Sequence, residues 1–314
     1  MRIALIGQAP FGAAIFERLV ADGHEIVGVF TPPEREGGRP DPLAQAARDA
    51  SITLVQPRRW QRRGVVDEEV IAQYEATNPE LNVMAFVTQI IPSRVLEFPS
   101  LKTIQYHPSI LPKHRGRSAI NHAIVQGDTM TGVTIFWVDE GLDTGPILLQ
   151  RSCPIGPDAT INEVYREHLF PLGVETMAEA VQLVEAGQAP RHVQNEDDMT
   201  YEGPWEGDIA RIDWSQDAQI VHNFVRGSDR APGAWSEVGG QRVTLLGSTR
   251  SDHSGGSAGE VAAIGSDGMT IVCGDGESIR VSTLAVGRDR QPAQDWSSAN
   301  GVEVGTVFEP APAE

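Results

Sequence analysis

The sequence has very few cysteines, no long apolar run and a shortage of positive charge. Its 314 residues include only Cys153 and Cys273, which lie far apart in the chain. Two thiols cannot form a cysteine-based zinc site by themselves, and nothing in the sequence supports a disulfide between them. Because free cysteines are among the most often buried residue types, we expect both to lie in a core.

Apolar residues never run for the roughly 18 consecutive positions that a transmembrane helix requires. Residues 1–6 lead directly into a strand-like run and lack the basic start, long apolar stretch and small-residue cleavage site of a signal peptide. These absences predict a cytoplasmic protein with no membrane partner. The length suffices for one large domain or two ordinary ones, each with its own core.

The shortage of positive charge restricts the partners that we expect. The formal net charge is −18, and residues 201–314 contain eight basic and 17 acidic residues, a net charge of −9. Such a surface repels a phosphate backbone, so the composition argues against a nucleic-acid partner. A local basic groove within an acidic protein still leaves tRNA open. Arginines also cluster at 58–63, and we interpret them as a solvated face.

Short apolar runs that alternate with helical periodicities predict an α/β fold over the first 200 residues. The β-α-β order of the first thirty residues implies a Rossmann-like parallel sheet with right-handed crossovers. The predicted strands are Arg2–Ile6, Glu25–Phe30, Thr53–Val55, Leu81–Val87, Lys102–Tyr106, Gly132–Val138 and Ile147–Gln150. The predicted helices are Phe11–Ala21, Pro40–Ala50, Asp67–Ala76, Pro92–Glu97, Ser118–Gln126 and, as one or two helices, Ile161–Glu185.

A polar, acidic stretch at Pro190–Tyr201 predicts the boundary between two domains, residues 1–200 and residues 201–314. One helix is predicted after it, at Asp217–Val225, and short β-like runs separated by Gly and Ser follow. Their spacing favours a small barrel or sandwich, and we expect a smaller β-barrel of the OB type. The last residues, 309–314, are expected to be frayed. The predicted β-runs are Gln241–Leu246, Gly259–Ile264, Met269–Val272 and Ile279–Thr283.

A glycine-containing turn follows the first predicted strand. In residues 7–12 the second glycine of a dinucleotide-binding fingerprint is replaced by Ala9. The two remaining glycines are weak evidence for a nicotinamide site. We interpret the segment as a tight turn whose backbone amides face a small ligand.

His107 and Asp143 are the strongest candidates for chemistry. Both follow predicted strands, and in an open parallel sheet the ligand crevice lies beyond the carboxyl ends of the strands. A carboxylate favours the charged form of a nearby imidazole, and such a pair can stabilise an oxyanion and transfer protons. Without further context, a structural histidine and a loop-capping aspartate explain the pair slightly better.

Two ordered motifs surround this pair. His-Pro-Ser-Ile-Leu-Pro begins at His107 and precedes Arg115-Gly116, and Asp143 stands in Glu-Gly-Leu-Asp-Thr-Gly after a Gly-Val-Thr-Ile strand. Together they resemble the folate-dependent formyltransferase family, which includes glycinamide ribonucleotide transformylase, methionyl-tRNA formyltransferase and several sugar formyltransferases. The chain is most similar to the N-terminal hydrolase domain of 10-formyltetrahydrofolate dehydrogenase, through Ser-Ala-Ile-Asn at 118–121 and Pro-Gly-Ala-Trp at 232–235 among other segments.

The resemblance implies a role for each matching residue. His107 corresponds to the histidine that stabilises the oxyanion on the formyl carbon, and Asp143 to the aspartate that contacts this histidine and orients water. Gln105 stands where formyltransferases usually have asparagine and the hydrolase domain has an apolar residue, so its part in catalysis is left open. The walls of the pterin pocket correspond to Met84, Ala85, Phe86, Gln89, Ile91, Asp139, Glu140, Gly141 and Leu142.

The resemblance further implies 10-formyltetrahydrofolate as the formyl donor and no metal, and it leaves the acceptor open. Water as acceptor gives tetrahydrofolate and formate, whereas a small amine gives an N-formyl compound. Methionyl-tRNA formyltransferase is the main alternative, and a folate-binding protein without catalysis is another. Lys113, Arg115 and Arg117 either face the glutamate tail of the folate or an acidic acceptor, or are simply solvated.

Overall fold

A computed structural model describes residues 1–229 and 231–309, so the predicted fraying of 310–314 lies outside the described residues. The strands are β1 (Arg2–Gly7), β2 (Glu25–Phe30), β3 (Leu54–Val55), β4 (Gln61–Arg62), β5 (Val65–Val66), β6 (Leu81–Ala85), β7 (Thr103–His107), β8 (Met130–Trp137), β9 (Ile147–Pro154), β10 (Ala234–Val238), β11 (Gln241–Ser251), β12 (Val261–Gly265), β13 (Gly268–Val272), β14 (Ser278–Val286) and β15 (Asp289–Pro292).

The helices lie between these strands, and most of them are found where the sequence predicts a helix. They are α1 (Ala9–Ala21), α2 (Pro42–Asp49), α3 (Glu68–Ala76), α4 (Ser93–Glu97), α5 (Ala119–Val125), α6 (Ile161–Glu163), α7 (Phe170–Glu185), α8 (Ala218–Ser228) and α9 (Ala293–Asn300). A π-helical segment, Val164–Leu169, joins α6 to α7. Within the described part of the chain, no helix combines the length and the apolar character that crossing a membrane requires.

Seven strands form one mixed sheet in the order β3-β2-β1-β6-β7-β8-β9. Parallel pairs join β1 to β2 and β6, and β6 to β7, which confirms the predicted Rossmann-like architecture. β8 runs antiparallel to β7, with His107 opposite Thr134. The assumption that Asp143 follows the carboxyl end of a parallel strand is therefore wrong, because the end of β8 lies beside the start of β7.

Helices α1 and α7 pack together at the end of β7. The ring of Phe11 lies 4.2 Å from the ring of Tyr106 and contacts Phe170 edge-on at 5.6 Å, measured between ring centroids. Gly173 permits this approach, since a Cβ atom there would lie 2.6 Å from the Tyr106 ring and 3.0 Å from that of Phe11. Because Tyr106 directly precedes His107, the aromatic contact fixes the end of β7.

A buried amide network holds the opposite end of the same strands. Asn82 is fully buried, and its Oδ1 accepts a hydrogen bond of 2.9 Å from the Tyr74 hydroxyl. Its Nδ2 donates to the Val95 carbonyl at 2.8 Å and to Thr103 Oγ1 at 3.0 Å. Burial raises the pKa of Tyr74 above its usual range, so the hydroxyl remains a donor.

The chain packs as two compact units that are not continuous in sequence. The first contains Met1–Arg115, Gly132–Cys153 and His168–Tyr201. The second contains Gly116–Thr131, Pro154–Glu167 and the chain from Glu202 onward. The division into sequence domains 1–200 and 201–314 remains a prediction. The packed second unit also contains two segments from before residue 201, Gly116–Thr131 and Pro154–Glu167.

Six strands of the second unit form an antiparallel sheet, in which β10-β11-β14-β13-β12 are neighbours and β15 pairs with β14. Its apolar core includes Trp214, Trp296 and Phe308. An antiparallel β unit after the Rossmann-like sheet confirms the predicted fold class. The expected burial of Cys153 and Cys273 is confirmed as well, and burial raises the pKa of the Cys273 thiol to about 12.

A buried histidine links helix α8 to its surroundings within the second unit. His222 Nδ1 accepts a hydrogen bond of 2.9 Å from Ser248 Oγ when Nε2 donates to the Pro157 carbonyl at 3.0 Å. Asp158 Oδ1 lies 3.2 Å from the same Nε2. Burial lowers the pKa of His222, and the Pro157 carbonyl opposes this effect only in part. The ring is therefore held in its neutral form.

The packing of α7 predicts the effect of Gly173→Ala. The new methyl group overlaps two aromatic rings, at a cost of about 1–3 kcal/mol, and this outweighs the gain in helix propensity of about 1 kcal/mol. We expect a lower free energy of unfolding in urea. Gly203→Ala is the control, because nothing lies within 4 Å of its Cβ position and its φ is not positive; equal stability of the two variants would contradict the packing argument.

The neutral state of His222 predicts that acid destabilises the protein. In the unfolded chain His222 binds a proton near pH 6.5, whereas in the folded chain burial opposes protonation. The contribution of His222 to the free energy of unfolding is therefore fully present above that pH and is lost as the pH falls further. Urea unfolding between pH 7.5 and 5 should show a His222→Gln variant that is less stable than the parent at pH 7.5. The difference should shrink at pH 5. His168→Gln, at an exposed position, serves as control.

Candidate active site

His107 is the last residue of β7, and its side chain is buried between two acceptors. Nε2 lies 2.8 Å from the backbone carbonyl of His114, while Nδ1 lies 3.5 Å from Asp143 Oδ2. When Nε2 donates its proton to that carbonyl, Nδ1 of the neutral ring carries the lone pair on the Asp143 side. The hydrogen bond therefore leaves Nδ1 as the ring nitrogen that faces the Asp143 carboxylate.

Asp143 reaches His107 because the loop after β8 folds back along the sheet. Gly145 lies so close to β8 that a Cβ atom there would meet the Trp137 carbonyl oxygen at 1.7 Å. Asp143 itself has a φ of 57°, in the left-handed region that aspartate tolerates better than most residues. Its Oδ1 accepts a hydrogen bond of 3.1 Å from Gln105 Nε2. The structure thus brings together all three predicted catalytic residues.

The loop after His107 is held by its own polar groups. Ser109 Oγ donates to the Lys113 carbonyl at 2.6 Å, and Thr134 Oγ1 on β8 donates to the Ser109 carbonyl at 2.7 Å. These two hydrogen bonds give Ser109 a structural role in the loop. Arg115 is buried, and its guanidinium binds Gln194 and Glu196. Arg115 is therefore neither simply solvated nor directed at the glutamate tail of a folate, because its guanidinium donors bind these two residues.

The predicted pterin-pocket residues lie at the end of β6, on the loop after it and on the loop after β8, all in the first unit. Met84 and Ala85 end β6 in buried positions, and Ile91 is buried in the same apolar cluster as Met84. Phe86 is half exposed and has a φ of 62°, in the left-handed region. Gln89 Nε2 donates to the carbonyls of Pro57 and Arg58, so its amide supports the neighbouring loop.

The second predicted wall of the pterin pocket is the loop after β8. Asp139 Oδ1 accepts from the backbone N–H of Gly141 at 3.0 Å and from Thr144 Oγ1 at 2.6 Å, which forms a compact turn. Leu142 and Glu140 are exposed. A cleft of about 520 Å³ opens beside this loop. It is lined by Ser93, Leu96, Glu97, Lys102, Trp137, Val138, Asp139, Glu140 and Arg191.

The turn after β1 does not present all its amides to a ligand. The backbone N–H of Ala9 donates to Asp41 Oδ2 at 2.7 Å, and that of Gln8 donates to the Ala85 carbonyl at 3.3 Å. Gly7 is needed for close packing, because a Cβ atom there would lie 2.0 Å from the Ala85 carbonyl oxygen. The first glycine of the motif therefore serves strand packing.

Gln194 is a residue of the site that sequence reasoning missed. Its Nε2 donates to the carbonyls of Asp143 at 2.8 Å and Gly145 at 2.7 Å. It lies in the polar stretch that predicted a domain boundary, and no local pattern distinguishes it from its neighbours. Across residues 1–229 and 231–309, no group of three His, Cys, Asp or Glu side chains lies close enough together to hold a metal ion.

Comparison with protein families gives two consecutive matches. Residues 1–181 match the family model described as formyl transferase, and residues 207–301 match the formyl transferase C-terminal domain. The mitochondrial 10-formyltetrahydrofolate dehydrogenase of Mus musculus is 42% identical over 313 residues, which cover 97% of this chain and 34% of that protein. The chain thus spans about a third of the length of this relative.

A second relative matches over nearly its whole length. The methionyl-tRNA formyltransferase of Symbiobacterium thermophilum is 34% identical over 321 residues, which cover 100% of this chain and 97% of that protein. Among solved structures, HypX from Aquifex aeolicus in complex with tetrahydrofolic acid has a TM-score of 0.69 at 24% identity, covering 100% of this chain and 50% of that one.

A sugar 3N-formyl transferase, WlaRD, has a TM-score of 0.68 at 18% identity over 90% of this chain and 97% of that one. Identities this low establish a common fold and nothing more. The family matches cover both sheets, and the relatives above 30% identity extend over nearly the whole chain. The protein belongs to the formyl transferase family of enzymes.

Proposed function

We propose that this protein transfers the formyl group of 10-formyltetrahydrofolate to water or to a small amine, with His107 and Asp143 as the catalytic pair. The observation that carries the proposal is the buried contact of 3.5 Å between His107 Nδ1 and Asp143 Oδ2. A purely structural role does not explain why a histidine at a strand end and an aspartate from a separate loop meet in a buried contact in a formyl transferase. Identity of 42% to a 10-formyltetrahydrofolate dehydrogenase supports the donor.

In the proposed reaction, the oxygen of water or the nitrogen of an amine forms a bond to the formyl carbon. The bond from this carbon to N10 of the folate then breaks. The proton lost by the nucleophile is gained by N10, through Asp143 Oδ2 and His107 Nδ1. A protonated His107 stabilises the oxyanion that forms on the formyl oxygen, and the burial of the His107 and Asp143 side chains strengthens this electrostatic interaction. With water, the products are tetrahydrofolate and formate.

The pterin pocket is proposed at the two loops that follow β6 and β8. Met84 and Ile91 belong to one apolar cluster, and Val138 at the end of β8 packs against it. These residues form an apolar surface between the two loops, against which the pterin ring is proposed to pack. The exposed side chains of Phe86 and Leu142 supply further apolar surface beside it. Polar groups of the 139–142 loop are the proposed partners of the ring nitrogens.

Transfer to methionyl-tRNA is the second candidate, because a methionyl-tRNA formyltransferase matches over nearly its full length. The charges of the second unit argue against it. Most described arginines after residue 201 are already engaged within that unit: Arg211 with Glu237, Arg242 with Asp208, Arg250 with Glu277, Arg280 with Asp267, and Arg226 buried against backbone carbonyls. Few cations therefore remain to neutralise phosphates.

Incubation with 10-formyltetrahydrofolate alone tests the acceptor and the pair together. We expect tetrahydrofolate and formate to appear without any amine. His107→Ala and Asp143→Ala should each lower kcat by about 10²–10⁴-fold, the range of general acid–base catalysis. His168→Ala is the matched control, because this histidine is exposed.

Two other outcomes each favour a different function. Turnover that begins only when charged initiator tRNA is added would sink the hydrolase proposal and favour the tRNA enzyme. Folate binding without turnover, in water and with a panel of small amines, would favour a binding protein that lacks catalysis.

The contact between Gln105 and Asp143 predicts an asymmetry between two substitutions. Gln105→Leu removes one hydrogen bond to a carboxylate, worth about 1.5 kcal/mol, so kcat should fall about 10-fold. Gln105→Glu keeps the shape but sets a second carboxylate against Asp143, and like charges at this distance disfavour each other. We expect the Glu variant to be at least ~10-fold slower than the Leu variant in steady-state assays; the reverse order would show that Gln105 does not contact Asp143 during turnover.

A further inference from the structure

One short segment of the first unit touches both halves of the catalytic pair. We call residues 192–200 the strap. At its start, His192 exchanges two backbone hydrogen bonds with Ile147, of 2.8 and 2.9 Å. At its end, Thr200 accepts hydrogen bonds from the backbone N–H groups of His114 and Arg115 at 2.8 and 3.0 Å. His114 is also the residue whose carbonyl binds His107.

Gln194, in the middle of the strap, is saturated with hydrogen bonds. Both protons of its Nε2 are used, one by the Asp143 carbonyl and one by the Gly145 carbonyl. Its Oε1 accepts from Arg115 Nε at 3.1 Å and from Arg115 Nη2 at 2.8 Å. Two acceptors on one side and two guanidinium donors on the other fix the orientation of the amide.

Arg115 is held from its other edge by the strap as well. Its Nη1 and Nη2 reach the two carboxylate oxygens of Glu196 at 3.0 and 2.7 Å, a bidentate pair. The guanidinium of Arg115 in turn holds the pKa of the Glu196 carboxyl below its usual range. Arg115 is therefore a buried cation whose guanidinium binds two residues of the strap, and it follows directly on the His114 carbonyl that binds His107.

We propose that Gln194 and Arg115 are positioning residues that hold the backbone of Asp143 at its catalytic distance from His107. A continuous path of hydrogen bonds runs from the His114–Arg115 backbone through the guanidinium and the Gln194 amide to the carbonyls on either side of Thr144. The catalytic role of this path rests on the proposed function. It explains why Asp143 keeps a left-handed conformation, which costs energy unless surrounding contacts enforce it.

Gln194→Glu tests the path by removing only the two hydrogen bonds that the Gln194 amide donates to the Asp143 and Gly145 carbonyls. The variant keeps its size and its partner Arg115, but its carboxylate turns oxygen atoms toward two carbonyl oxygens. The loop of Asp143 must then move, and a shift of about 1 Å costs about 10²-fold in rate. We expect kcat to fall between ~10- and 100-fold with the KM for 10-formyltetrahydrofolate changed less than ~3-fold. Backbone amides of residues 141–145 should exchange faster with deuterium.

Asn82→Asp is the matched control, because Asn82 is also a buried amide with three hydrogen bonds. It lies opposite Thr103, four residues before His107 on β7, so about 13 Å from the site at the rise of a strand. This variant should be less stable, yet its kcat per folded molecule and the exchange of 141–145 should match the parent. Comparison at equal folded fraction separates positioning from stability.

A double substitution tests whether the two residues act through one path. Arg115→Met and Gln194→Met should each lower kcat, and the double variant should be no slower than about the slower single variant. Multiplied effects, or a Gln194→Glu enzyme with the parent's kcat and exchange, would overturn the proposal. If His107→Ala and Asp143→Ala retain full turnover, the proposed function fails instead. The exchange of residues 141–145 still decides whether the strap holds the loop.

Discussion

The candidate active site depends on the backbone of Asp143, whose carbonyl and that of Gly145 are bound by one side-chain amide of Gln194. The constraint arises from the sheet, because β8 runs antiparallel to β7 and its following loop must turn back to bring Asp143 to His107. This turn brings Gly145 against the Trp137 carbonyl and places Asp143 in the left-handed region. Such a conformation persists only where neighbouring groups enforce it.

The charges in and around the site follow from the same arrangement. His107 has an oxygen atom beside each ring nitrogen, a backbone carbonyl at Nε2 and a carboxylate at Nδ1, which is the arrangement on which its proposed catalytic role rests. The buried cation Arg115 contacts Glu196 and Gln194. A positive residue in a protein of net charge −18 therefore serves the rigidity of the site, and a polar network of this kind stabilises only when every member is satisfied.

The second unit has a different physical character. It is an antiparallel β unit with a tryptophan-rich core, and its arginines mostly pair with carboxylates of the same unit. Its net negative charge and its internal pairing both disfavour a polyanion. The buried His222, neutral between Ser248 and Pro157, adds to its stability above mildly acidic pH. The charge and the internal pairing are the reasons for which a small acceptor or water is proposed rather than tRNA.

The sequence by itself predicted most strands and helices in their order, the Rossmann-like first sheet, a β-rich second part and the catalytic candidates His107, Asp143 and Gln105. It missed the strands β4, β5, β10 and β15 and the helix α9. Local periodicity and ordered motifs carry that information. The bounds of Leu81–Ala85 and Ala119–Val125 differ from prediction by a residue or two, as expected at element ends. Only the tertiary structure decided that β8 is antiparallel, that Arg115 is buried and that Gln194 holds Asp143. Strand direction and contacts between residues 51 or 79 positions apart depend on how the whole chain packs, and no local pattern encodes them.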